Sequence, residues 1–245
     1  MKRSYLLLMA VLGLTALHAQ TADEIISKYI DAIGGKTVLS SIKSLVIEGK
    51  ATVQGSESVN TTYLLVGQGY KSETNLMGQK VVQCITPGAG WGMNPFMGQS
   101  APVAADADAV KNGQIQLQVS PLINYAAHGS KVEFVDSVSE SSAIDSIQYR
   151  IRLTNGKEVF LFYINRKSHL LDMTVMSPDP SNKMAAQVTS IYKDYRKTDY
   201  GYVIAFDNYM SFQTAAIQPY GIVTNYTKVT VNAPIDPAIF KLPKK

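Results

Sequence analysis

The side chains able to do chemistry are few and scattered. Cys84 is the only cysteine, so no intrachain disulfide forms. A catalytic thiol needs a base, and beyond the N-terminal leader only His128 (A-A-H-G) and His169 (K-S-H-L) remain, far from it in sequence. Cys84 sits in K-V-V-Q-C-I-T, where Val82 and Cys84 share one face of a strand, and is read as a small buried core residue. Neither histidine has carboxylates at metal-ligand spacing. Asp106 and Asp108 with Asp179 make an imaginable acidic set, but surface solvation explains them better. No G-x-S-x-G, H-E-x-x-H, Walker loop or C-x-x-C occurs, and no serine has a nameable base. The chain is read as a non-enzyme without metal or cofactor. The run D-Y-R-K-T-D-Y at 194–200 is either a solvated turn with its tyrosines against the core, or a rim for lipid head groups or a partner.

The N-terminus reads M-K-R-S-Y, then an apolar run, then H-A-Q: a basic stretch, a hydrophobic stretch and a small-residue exit. This predicts a signal peptide over 1–19, cleaved after Ala19, and an exported chain over 20–245 of a length that suits one large β domain or two small ones. The apolar run is shorter than the roughly 20 residues a membrane span needs. Losing Lys2 and Arg3 brings the formal +4 charge to about +2. With no basic run longer than two residues, nucleic acid is excluded as a partner.

The elements that must position any site begin at Thr21. Thr21 and Glu24 stand at capping-box spacing, Ile26, Ile30 and Ile33 form one stripe, and Gly34-Gly35 stops the helix. Residues 36–42 suggest another helical turn or two. The pattern then switches to period two over 44–53, with Leu45 and Ile47 on one face and Val46 and Glu48 on the other. Further strands are expected over 58–67, 69–74, 80–85, 131–138, 146–154, 157–165, 169–177, 186–195, 202–213 and 220–231, with a loop at 177–183. Asn155-Gly156 between alternating runs is a strong hairpin signal.

Residues 86–100 (T-P-G-A-G-W-G-M-N-P-F-M-G-Q-S) are expected to form an irregular loop, because glycine and proline break regular elements. Trp91 and Phe96 then either plug the core or form an apolar lip over a cavity. A helix is expected over 101–113, with Pro102 near its start and Asn112-Gly113 as its stop. Residues 114–129 either continue it after a break or start a second helix at Ser120 with Pro121 in its first turn, in the right place for a lid. Phe240 and Leu242 are expected to dock the C-terminus. About ten or eleven strands with helical interruptions argue for one strongly curled antiparallel sheet whose concave apolar face the helices cover. Tyrosines recur on the strands, among them Tyr63, Tyr149, Tyr163, Tyr192, Tyr209 and Tyr226, and suit a cavity wall that is apolar yet meets polar ends, though tyrosine is also an ordinary strand former.

Five stretches carry a resemblance: A-D-E-I-I-S-K-Y-I-D-A-I-G-G at 22–35, S-L-V-I-E-G-K-A at 44–51, G-W-G-M-N-P at 90–95, D-Y-R-K-T-D-Y-G-Y-V-I at 194–204 and I-D-P-A-I-F-K-L-P at 235–243. Together they resemble exported outer-membrane lipoprotein-sorting-like proteins of Bacteroidetes type, which are similar to the LolA/LolB carriers. The resemblance implies an α+β LolA-like fold: a half-closed antiparallel β-barrel lidded by helices, with an apolar cavity that takes acyl chains. The expected function is a periplasmic carrier or binding protein for lipid, lipoprotein acyl chains or another apolar ligand, with an envelope membrane protein as a further candidate partner. The wall and lid residues expected for that cavity are Leu45, Ile47, Tyr63, Leu65, Trp91, Phe96, Leu122, Tyr125, Tyr149 and Phe162. Two alternatives stay open: an envelope interaction module whose interior is filled by its own side chains, and a hydrolase with an unrecognised site.

Overall fold

The computed structural model describes residues 21–53, 55–138, 147–177, 186–213 and 220–243. The signal peptide expected over 1–19, Asp179 and most of the loop expected at 177–183 lie outside them. The first helix, α1 (Ala22–Ala32), carries the capping box in full. The Thr21 hydroxyl accepts from Glu24 N at 3.2 Å, and Thr21 N donates to the Glu24 carboxylate at 3.2 Å. After Gly34 a short α2 (Gly35–Ser41) buries Leu39 and leads to buried Ile42.

Thirteen strands follow among the described residues, all antiparallel. One meander holds β1 (Ser44–Val53), β2 (Ser56–Leu65), β3 (Gly69–Leu76), β4 (Gln79–Ile85), β5 (Gly90–Asn94) and β6 (Gln99–Ala104). The other holds β7 (Lys131–Val138), β8 (Gln148–Asn155), β9 (Glu158–Asn165), β10 (Leu171–Ser177), β11 (Gln187–Lys197), β12 (Val203–Gln213) and β13 (Tyr220–Val231). The first strand of one pairs with the last of the other, so the sheet order is β6-β5-β4-β3-β2-β1-β13-β12-β11-β10-β9-β8-β7. Between the meanders lie α3 (Ala107–Gly113) and 3-10 turns at Gln114–Leu117 and Tyr125–His128.

Four expectations change. The strand number rises from ten or eleven to thirteen, because 86–100 is not an irregular loop. Trp91 pairs with Cys84 on one side and Ala104 on the other. Backbone pairing needs no side chain, so the glycines tolerate it. Pro102 is accommodated because β6 is the sheet edge, where no neighbour needs its missing N–H. The half-closed barrel is instead an open curved sheet with free edges at β6 and β7. The helix expected over 101–113 starts later, at Ala107, where the Asp106 carboxylate accepts from Ala109 N at 2.7 Å. No α-helix forms from Ser120: its hydroxyl accepts from Leu122 N, and Asn124 adopts a left-handed φ of 51° that ends any helical run.

Two smaller adjustments come from the same source. The hairpin near Asn155 exists, but Asn155 pairs with Glu158, so Gly156 and Lys157 are the turn residues. Gly156 has φ +63°, as the first central position of a type II′ turn requires. At the C-terminus Phe240 is buried, but Leu242 is exposed.

Register divides the apolar residues between two faces. Leu45 pairs with Leu64, so both face inward with α1, while Tyr63 and Leu65 face outward. The inner core joins Ile25, Ile26, Tyr29 and Ile30 of α1 to Leu45, Ile151, Leu153 and Ile164. The outer core is smaller: Val82, Cys84 and Trp91 lie beneath Phe240.

Candidate functional site

The inner face of the second meander is not filled. Between it and α1 lies a cavity of about 750 Å³, roofed by Tyr29 of α1, by Ile33 just past its end and by residues between Ala109 and Pro121. That size lies within the 300–1,000 Å³ range usual for small-molecule sites. Alternation along each strand sends every second side chain to this face, and pairing lines them up across it. The first row is Phe160, Met176, Val188 and Phe212, all apolar. The next is Phe162, Thr174, Ser190 and Met210. The third, Tyr192 beside Asn208, is polar. The wall thus grades from methionine and phenylalanine to hydroxyl and amide over two steps along the strands.

Six tyrosines line the cavity: Tyr29, Tyr70, Tyr192, Tyr195, Tyr202 and Tyr226. Burial raises the pKa of every one, that of Tyr29 to about 12, so all six are neutral phenols at ordinary pH. Several are tied down. Tyr29 and Ser120 share a hydrogen bond at 3.2 Å, Tyr192 and Thr174 another at 3.2 Å, and Tyr195 donates to Leu171 O at 2.6 Å. Glu158 is the one charged side chain among the described lining residues. Burial pushes its carboxyl above the usual carboxylate value. Gln116 Oε1 is buried without a hydrogen-bond partner.

The roof is held by a handful of polar contacts. Tyr125 donates to Asp23 Oδ1 of α1 at 2.5 Å, Gly67 N donates to Leu117 O at 2.8 Å, and Gln114 Nε2 donates to Thr86 O at 3.0 Å. Together with the Tyr29–Ser120 bond they tie the segment after α3 to α1 and to the β-loops.

The ten residues expected from sequence spread over five places. Phe162 lines the cavity. Leu45, Ile47, Leu122 and Tyr149 pack in the inner core around it, and Tyr125 joins the roof to α1. Tyr63, Leu65 and Trp91 belong to the opposite, outer face, and Phe96 is exposed at the turn between β5 and β6. The residues that reading passed over are Tyr29, Ser190, Asn208, Gln116 and Glu158. Period two in 187–197 and 203–213 marks Ser190, Tyr192, Asn208 and Met210 as alternating positions, which was the available signal. The side on which the sheet closes was not in that pattern.

The reactive residues stay apart from this cavity. Burial raises the Cys84 thiol to about 11, and its Sγ donates to Phe240 O at 3.3 Å on the outer face. His128 is exposed and Asp106 caps α3. In the 194–200 run Asp194 pairs with Arg196, whose guanidinium lies 4.5 Å over the Phe206 ring, while Tyr195 turns into the cavity. Among the described residues no three His, Cys, Asp or Glu side chains gather as a metal site, and no helix is long and apolar enough to cross a membrane.

No protein-family model matches the sequence, and no curated protein matches it closely enough to count as a relative. Solved structures do share its fold. A LolA superfamily protein from Nitrosomonas europaea superposes with a TM-score of 0.57 at 13% identity, over 90% of this chain and 97% of that one. A DUF1329 family protein from Desulfovibrio piger gives 0.56 at 10% identity, over 89% and 96%. A domain provisionally described as an outer membrane lipoprotein-sorting protein, from Vibrio parahaemolyticus, gives 0.56 at 8% identity, over 88% and 95%. The chain has a LolA-like fold.

Proposed function

We propose that this chain is an exported, periplasmic, non-enzymatic carrier or binding protein that holds a lipid or lipoprotein acyl chain inside its curved sheet. The observation that carries the reading is the roofed 750 Å³ cavity, whose apolar row of Phe160, Met176, Val188 and Phe212 offers a long chain a dry wall. Each methylene moved from water to that wall contributes about 0.8 kcal/mol. Loading and release require the segment after α3 to part from α1, breaking the Tyr29–Ser120 and Tyr125–Asp23 hydrogen bonds. The signal peptide, the Bacteroidetes-type affiliation and an envelope membrane partner belong to the same proposal and rest on the sequence motifs. A self-filled interaction module fits less well with a hollow of this size.

Native mass spectrometry of protein purified gently from the cell envelope tests the reading. A co-purifying lipid adduct, reduced when Ser190→Trp fills the cavity floor, is the expected result. Protein that carries no adduct and takes up no apolar dye overturns it.

A further inference from the structure

The cavity is apolar along one row and polar along another, and its polar groups are unevenly chosen. Asn208 is 8% exposed, lines the cavity and stands beside Tyr192 in its polar row. Gln116 Oε1, on the roof side, is a buried acceptor without a donor. Glu158, also 8% exposed, adds an acid to the same lining. The phenols of Tyr29 and Tyr192 already share hydrogen bonds with Ser120 and Thr174. Among the described lining residues there is no lysine, arginine or histidine.

Resting on the reading that the cavity holds an acyl chain, we infer that its ligand is an amphiphile with an uncharged, hydroxyl-bearing head, of the monoacylglycerol type, held with the head inside. The tail lies along Phe160, Met176, Val188 and Phe212, and the head reaches Asn208 and Gln116. The reasoning is a desolvation argument. An ionised carboxylate or phosphate taken into this cavity would lose its water and meet no countercharge. A hydroxyl loses less on leaving water, and it donates to Gln116 Oε1, the acceptor left unmet, and to the Asn208 amide oxygen.

The test is displacement of the neutral dye N-phenyl-1-naphthylamine from the purified full-length chain. Monolaurin and laurate compete at a pH where laurate is ionised. Both carry the same tail, so the head alone separates them. Monolaurin is expected to displace the dye at about one tenth of the laurate concentration, the size of one to two buried hydrogen bonds. Asn208→Leu and, separately, Gln116→Leu on the roof should each shrink that ratio. Equal competition by the two, or a ratio unchanged in both variants, overturns the inference while leaving the cavity reading intact. A chain that takes up no dye at all overturns both.

Discussion

On the outer face of β2–β5 the chain's own C-terminus is the plug, whereas on the inner face of β9–β13 the roof spans a hollow without filling it. The outer seal is specific. Trp91 Nε1 donates to Phe240 O at 3.0 Å, Cys84 bonds the same carbonyl, and the Phe240 ring lies 2.6 Å from where a Cβ on Gly69 would be. The inner roof touches the sheet at its margins and leaves about 750 Å³ beneath it. Both faces are apolar, and both belong to one continuous sheet. A covering segment placed directly on a sheet makes core; one placed across its curl makes a cavity.

Four substitutions break or sharpen this contrast. Phe240→Ala removes the outer plug and leaves the Trp91 and Cys84 side chains without ring contact. It should cost about 3–5 kcal/mol in denaturant unfolding. Gly69→Ala puts a methyl into the Phe240 ring and should cost about 1–3 kcal/mol by the same measurement. Met210→Ala on the cavity floor should cost less than about 1 kcal/mol, because that side chain already faces empty space. A Met210→Ala loss as large as that of Phe240→Ala would show the inner face to be packed, and the comparison would collapse.

The smallest effect is a pH dependence. The folded state raises the Glu158 pKa above its ordinary 4.5, so it holds the proton more tightly than the unfolded chain. The stability linked to that proton is full below the ordinary value and is lost as pH rises through the raised one. Glu158→Gln should therefore raise the melting temperature at neutral pH, and this gain should vanish in acid. A gain that persists unchanged below the ordinary carboxylate pKa would mean that the carboxyl is not desolvated at this wall.

Much of this frame could be read from residues alone. The α1 cap at Thr21 and Glu24 and the β1 boundaries at Ser44 and Val53 follow from local patterns, and the structure has them in place. The β5–β6 hairpin could not be read, because Gly90, Gly92 and Pro102 speak against a strand until a neighbouring strand and a free edge are supplied. The expected wall suffered from a different ambiguity. Leu45 and Tyr63 both look like strand residues with a buried face, but their strands pair Leu45 with Leu64, so the two lie on opposite sides. Tyr192 and Tyr226 carry the same letter as Tyr209, which is exposed, and only pairing and curvature separate them.

By itself the sequence determined the capped helix, most of the strands, the alternation that gives each strand two faces, and the absence of a recognised catalytic motif. These are local matters, settled by neighbours within a few residues. The tertiary structure decided how many strands there are, which face α1 covers, and that Phe162, Ser190, Tyr192 and Asn208 meet around one hollow. Alternation fixes which residues share a side of a strand. The pairing register and the curl of thirteen strands decide which side closes on the C-terminus and which encloses a cavity.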